Sequence, residues 1–101
     1  MMRYTIDFVG RNAGEQACQT FADVAHRHPV AGYVAPAEQG RVRLVAEGEP
    51  MELDDFLEAL HEQTARHLER RNLQKSSATG EFGSPLEDGT FQVRPEVCGG
   101  D

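Results

Sequence analysis

Twice along this chain the apolar residues switch from every second position to helical spacing, and that order of periods constrains the fold more than any other feature. Tyr4, Ile6 and Phe8 alternate with Thr5, Asp7 and Val9, the period of a half-buried strand. From Glu15 to about Arg27 the apolar residues fall at Ala17, Phe21, Val24 and Ala25, one face of a helix, and Pro29 forbids continuation. The runs VAGYVA and RVRLVAEG, separated by Glu38-Gln39-Gly40, read as a hairpin with glycine where positive φ is needed. A second helix opens near Pro50, which is tolerated at a first helical position. Its inward stripe is Leu53, Phe56, Leu57, Leu60 and Thr64, with Glu52, Asp54 and Asp55 favourably placed in the first turn. The next stretch reads two ways: Leu68 extends the helical stripe, whereas Asn72-Leu73-Gln74 before Ser76, Ser77 and Gly80 suits a strand over about His67 to Lys75. The strand is the reading taken forward. A Gly/Ser/Pro/Asp loop over 83–89 precedes a short strand at Phe91 to Arg94 and a loose PEVCGGD tail.

Strand, helix, strand, strand, helix, strand is two split βαβ units. They predict an antiparallel sheet with both helices on one face and a short C-terminal strand added, an α+β ferredoxin-like sandwich. With 101 residues the chain is expected to form one domain over 1–94, followed by a flexible tail over 95–101.

Charge narrows the partners. The formal net charge of −7 disfavours nucleic acid, acidic membranes and highly charged phosphate substrates at long range. MMRYTIDF lacks the apolar run of a signal peptide, and no segment is apolar enough to span a membrane, so a cytoplasmic location is the expectation. Cys18 and Cys98 match no metal-ligand spacing and are expected as free thiols.

The stretch GRNAGEQAC, Gly10 to Cys18, joins the first strand to the first helix. Its two glycines and the helix start behind them would present unpaired N–H groups to an anion. Cys18 invites a nucleophile reading, since a thiol near a helix start ionises more readily. A nucleophile also needs a base, and His26 and His28 lie too far along the helix to supply one. Neither these nor His61 and His67 form a metal-ligand pattern, and no metal or cofactor is expected. Arg66, Arg70, Arg71 and Lys75 make a locally basic strand that reads as a solvated face or a partner-binding edge. Paired aromatics for base stacking are absent, because Tyr4, Ile6 and Phe8 suit a core.

Four segments together resemble the acylphosphatase family. Gly10, Arg11 and Gly14 match the glycines and the frequent arginine of its signature G-x-V-Q-G-V-x-F-R. GYVAPAEQGRVRLVAEG at 32–48 is similar to its G-W-V-R-N…D-G-x-V-E-V…E-G stretch. HLERRNL at 67–73 resembles its fourth strand, although Arg71 stands where the family has an apolar residue. TGEF…GTFQV at 79–93 resembles its end, with a loop insert. The resemblance implies the same sandwich, an anion-binding loop over Arg11, Asn12, Ala13, Gly14, Glu15, Gln16, Ala17 and Cys18, and two functional side chains. One is an arginine that holds the acyl phosphate, the other an asparagine that orients the attacking water.

In this register the arginine position is Cys18 and the asparagine position is Pro36. A guanidinium offers permanent charge and a two-pronged donor set, whereas a thiol offers a weak donor and, ionised, the wrong sign. Losing one such stabiliser costs about 10²–10³ in rate. Proline has neither a polar side chain nor an N–H to hold water. The resemblance therefore implies a domain that has lost acyl-phosphate hydrolysis, retaining weak binding of phosphate, sulfate or chloride, or of a protein partner. Glu15 competes with an anion for the positive end of the helix. The alternative is a working acylphosphatase that cleaves carboxyl-phosphate anhydrides with Arg11 and Asn12 in a rearranged site.

Overall fold

The computed structural model describes residues 1–10, 15–37, 41–64, 68–80 and 91–93. The elements run β1 (Met2–Gly10), α1 (Glu15–Ala25), β2 (Ala31–Ala37), β3 (Arg41–Gly48), α2 (Pro50–Thr64), β4 (Leu68–Ser77) and β5 (Phe91–Val93). They form one sheet in the order β4-β1-β3-β2-β5. β3 pairs antiparallel with both β1 and β2, and β4 antiparallel with β1. The predicted sandwich is therefore the observed one, with one addition that periodicity does not carry: β5 joins β2 in parallel, which makes the sheet mixed.

Local chemistry explains where the helices stop and start. α1 closes with the N–H groups of Arg27 and His28 donating to Val24 O and Ala25 O at 3.0 Å, tightened bonds that end at Pro29. α2 starts at Pro50, whose missing N–H costs nothing there, and the Glu49 carbonyl accepts from Leu53 N at 2.9 Å.

The core lies between the helices and one sheet face. Tyr4, Ile6 and Phe8 of β1, Val42, Leu44 and Ala46 of β3, and Val34 of β2 are all buried there. α1 covers them with Cys18, Phe21, Ala22 and Ala25, and α2 with Leu53, Phe56, Leu57 and Leu60. Phe8 meets Phe21 edge-on at 4.8 Å between ring centroids, and Phe56 meets Phe91 at 5.9 Å. Such pairs add about 0.5–1.5 kcal/mol beyond the area they bury. Phe91 thus fixes the three-residue β5, helped by His26, whose Nε2 lies 3.3 Å from the Phe91 carbonyl oxygen.

Gly32 is required where it stands. Its φ is +145°, and a Cβ there would collide with the Val45 carbonyl oxygen on the neighbouring strand.

β4 is not a regular strand. Its register with β1 shifts between Thr5 and Asp7, and Asn72 has φ 54°. That is a bulge, one extra residue that turns the later side chains to the opposite face. Arg71 therefore pairs across from Asp7 on the face away from the helices, while Leu73 returns to the core side and packs half-buried against it. This accounts for the charged residue at 71, where an apolar one was expected from the resemblance.

Candidate functional site

β1 and β2 are both antiparallel to β3, so they run parallel and end together. Gly10, the start of α1, Ala37, the start of β3 at Arg41 and the start of β4 at Leu68 consequently share one end of the sheet. The segment that joins β1 to α1 is here, which is where an anion-binding turn belongs. Residues 11–14 lie outside the described residues, and with them Arg11, Asn12, Ala13 and Gly14. Glu15 and Gln16 open α1.

Ala17 and Cys18 sit in the first turn of α1, Ala17 half-buried against the core. Cys18 is fully buried, at 0% exposure, on the same helical face as Phe21, Ala22 and Ala25. The sequence stripe counted Ala17 and passed over Cys18, yet a free cysteine packs as a small hydrophobe and belongs on it. The thiol is thus enclosed in the core, more deeply than a semi-buried residue at a loop end. Cys98 lies outside the described residues.

Pro36 is half-buried near the end of β2, across from Val42 and on the same face as Val34. It lies past Gly32–Val34, the stretch that pairs with β5. A residue without an N–H is tolerated where a neighbouring strand has ended. Cys18, from α1, and Pro36, from β2, thus both face the layer between helices and sheet at the same end. Neither presents a charge or a side-chain donor of useful strength to an anion.

The sequence did not single out Arg41, a described cation whose register brings it to this end. It is exposed and lies across from Val9 and Ala37, on the sheet face away from the helices. Its strict alternation with Val42 and Leu44 was the signal for that orientation. On the same face Arg43 Nε donates to Asp7 Oδ1 at 3.0 Å. That hydrogen bond, with the Asp7 charge, raises the already high pKa of Arg43.

A second polar feature that sequence reasoning missed lies at the opposite end. Glu47 is 1% exposed and is the buried charged residue among those described. Its Oε2 accepts from Arg3 Nε at 2.8 Å, Thr79 N at 2.9 Å and Thr79 Oγ1 at 3.2 Å, and its Oε1 from Gly80 N at 3.1 Å. Burial alone would push the Glu47 carboxyl up, but these donors outweigh it and hold its pKa below the ordinary glutamate value. Gly80, at φ +79°, gives the backbone the turn that brings both N–H groups to one carboxylate. With every oxygen satisfied, the cluster fastens residues 79–80 to the sheet, a structural role.

The described histidines do not converge. His26 is held by β5, His28 packs its ring 5.9 Å from Phe56, and His61 is exposed on α2; His67 lies outside the described residues. Among the described residues no three His, Cys, Asp or Glu side chains are placed to hold a metal ion. No described helix is long and apolar enough to cross a membrane.

Comparison with known proteins bears on the whole arrangement. The acylphosphatase family model matches residues 19–82, well over half of the chain. An acylphosphatase from Bacillus subtilis superposes with a TM-score of 0.67 at 23% identity, covering 93% of this chain and 99% of that one. One from Coxiella burnetii gives 0.64 at 21% identity, covering 92% of each. T. kodakarensis HypF gives 0.69 at 22% identity over 93% of this chain but 12% of its own, so there the fold is one portion of a much longer protein. The curated proteins contain no significant match. Identities this low establish the fold alone, and the family match carries the assignment: the chain belongs to the acylphosphatase family.

Proposed function

We propose that this domain keeps the acylphosphatase fold without the family's hydrolysis, and that it retains weak affinity for a small anion at the main-chain amides between β1 and α1. The observation that carries this reading is the burial of Cys18. In the register of the family resemblance that position would hold the phosphate-gripping arginine. A thiol packed in the core against Phe21 and its neighbours supplies no charge there. Pro36, at the position of the water-orienting asparagine, supplies no donor either. The family match begins at residue 19, just past the signature segment, which agrees with divergence concentrated in that segment.

Phosphoryl transfer asks the protein for positioning and charge stabilisation, so losing both groups leaves little besides the backbone. That backbone still favours phosphate, sulfate or chloride through the amides of the turn and the positive end of α1, in competition with Glu15. The net charge of −7 works against nucleic acid and, more weakly, against any anion, so the affinity proposed here rests on local main-chain amides.

The test is to restore the two groups and watch turnover of benzoyl phosphate without added metal. Cys18→Arg, alone and with Pro36→Asn, is compared with the parent after each variant has been shown to fold by its near-ultraviolet dichroism. Turnover gained only in the double variant supports the reading. A parent that is already as active as the double variant overturns it. A phosphate titration followed at the Ala13, Gly14 and Glu15 amides tests the residual affinity, and unshifted amides would remove that part.

A further inference from the structure

Helix α2 and the edge strand β4 diverge, and a cleft of about 720 Å³ opens between them. Small-molecule sites span roughly 300–1,000 Å³, so the space is of that class. Phe8, Leu57, Leu68 and Leu73 give it an apolar floor. Its charges divide by wall: Asp54 and Glu58 stand on the helix, Arg70 and Lys75 on the strand. Glu69 also borders the cleft, but its carboxylate accepts from Arg71 at 3.0 Å.

The register staggers these charges along the cleft. Lys75 lies across from Tyr4 and Arg70 across from Phe8, levels that are roughly 13 Å apart at the rise of a strand. At the Tyr4 level, Asp54 accepts from the Tyr4 hydroxyl at 3.0 Å, and the Lys75 ammonium lies 5.0 Å from the ring centre. The two opposite charges therefore offset one another around one tyrosine. α2 runs from the Gly48 end of the sheet to the Leu68 end, so Glu58 stands one turn, roughly 5–6 Å, nearer the Phe8 level than Asp54. Beyond it come His61 on the helix and Arg70 on the strand. Among the described residues neither Glu58 nor Arg70 is in an ion pair, and both are exposed.

A carboxylate and a guanidinium thus face the same apolar floor from opposite walls, offset along it. We propose that this cleft binds an ω-amino acid, a carboxylate and an ammonium joined by an aliphatic chain. The ammonium meets Glu58, the carboxylate meets Arg70, and the chain lies over Leu57 and Leu73. A purely anionic ligand of this shape is repelled by Asp54 and Glu58, and a purely cationic one leaves Arg70 unmatched. Arg70 suits its part, because a guanidinium can donate two parallel hydrogen bonds to one carboxylate. The bulge at Asn72 makes the floor possible, since it returns Leu73 to the helix side of β4 while Arg70 keeps that side before it.

The experiment titrates the isotope-labelled chain with 8-aminooctanoate, octanoate, octylamine and glycine in about 0.15 M salt, where the net charge of the chain is screened beyond about 8 Å. 8-Aminooctanoate is expected to shift the amides of Leu57, Glu58, Arg70 and Leu73, and to bind about two- to fivefold tighter than octanoate or octylamine, the value of one exposed charge pair. Glycine carries both charges without the chain and is expected to leave these amides unshifted. Glu58→Gln is expected to bind 8-aminooctanoate and octanoate alike, and Arg70→Gln to bind 8-aminooctanoate and octylamine alike; both changes are at exposed positions and leave the core intact. Unshifted cleft amides at millimolar 8-aminooctanoate, equal binding of the three eight-carbon probes, shifts of the same size with glycine, or variants that keep the parent's preference would each overturn the proposal.

Discussion

Two residues show how little space this fold leaves around its backbone. Gly32 lies so close to β3 that any side chain drives into the Val45 carbonyl. Gly32→Ala is expected to lower unfolding stability by about 2–4 kcal/mol, the range of overpacking plus backbone strain, as read from urea titration. The Gly-Tyr-Val run was conspicuous in the sequence, but the reason for its glycine was not, because the collision is with a strand that follows the next turn. Cys18 illustrates the converse. Its burial follows from helical spacing with Phe21, Ala22 and Ala25, and was obscured by treating it as a loop terminus. Cys18→Arg, needed for the rescue experiment, places a charge in that core and is expected to be the least stable of the variants discussed here.

At the scale of elements, periodicity was sufficient for β1, α1, the β2–β3 pair and α2, whose inward stripe over Leu53–Leu60 is the one observed. It was insufficient for β4. The expected strand over about His67–Lys75 is present as β4, but only the pairing with β1 shows that Asn72, between Arg71 and Leu73, absorbs an extra residue and returns Leu73 to the core side. Left-handed backbone is accessible to asparagine and glycine but costly to β-branched residues. Asn72→Gly is therefore expected to fold with unchanged or slightly higher stability, and Asn72→Val to lose about 1–2 kcal/mol in thermal or urea unfolding. Equal stabilities would mean that the bulge is absent in solution. β5 was legible as a strand from Phe91, but three residues carry no signal for parallel against antiparallel pairing.

For the whole molecule, the buried Glu47 ties β1, β3 and residues 79–80 into one unit. Its folded-state pKa is depressed below the ordinary value of 4.5, so its contribution is fully present above that value. The contribution is lost as the pH falls through the lower, folded-state value. Stability is expected to decline on acidification in that window, and Glu47→Gln to flatten the decline while costing about 1–3 kcal/mol at neutral pH. A variant with an unchanged acid limb would show that other carboxylates govern it. Cys18 and Pro36, the two positions singled out by the family register, lie at the shared end of β1 and β2. What the sequence withheld was the burial of Cys18 and the nearness of Arg41, both properties of packing and register.

The most direct measurement is kcat/KM for benzoyl phosphate with the unmodified chain, beside an active acylphosphatase under the same metal-free conditions. The proposed loss of two stabilising groups predicts hydrolysis at least about 10²–10³ slower than that of the active enzyme. Hydrolysis within a few-fold of the active enzyme would contradict the account, because it would mean that a catalytic cation reaches the phosphate without help from position 18.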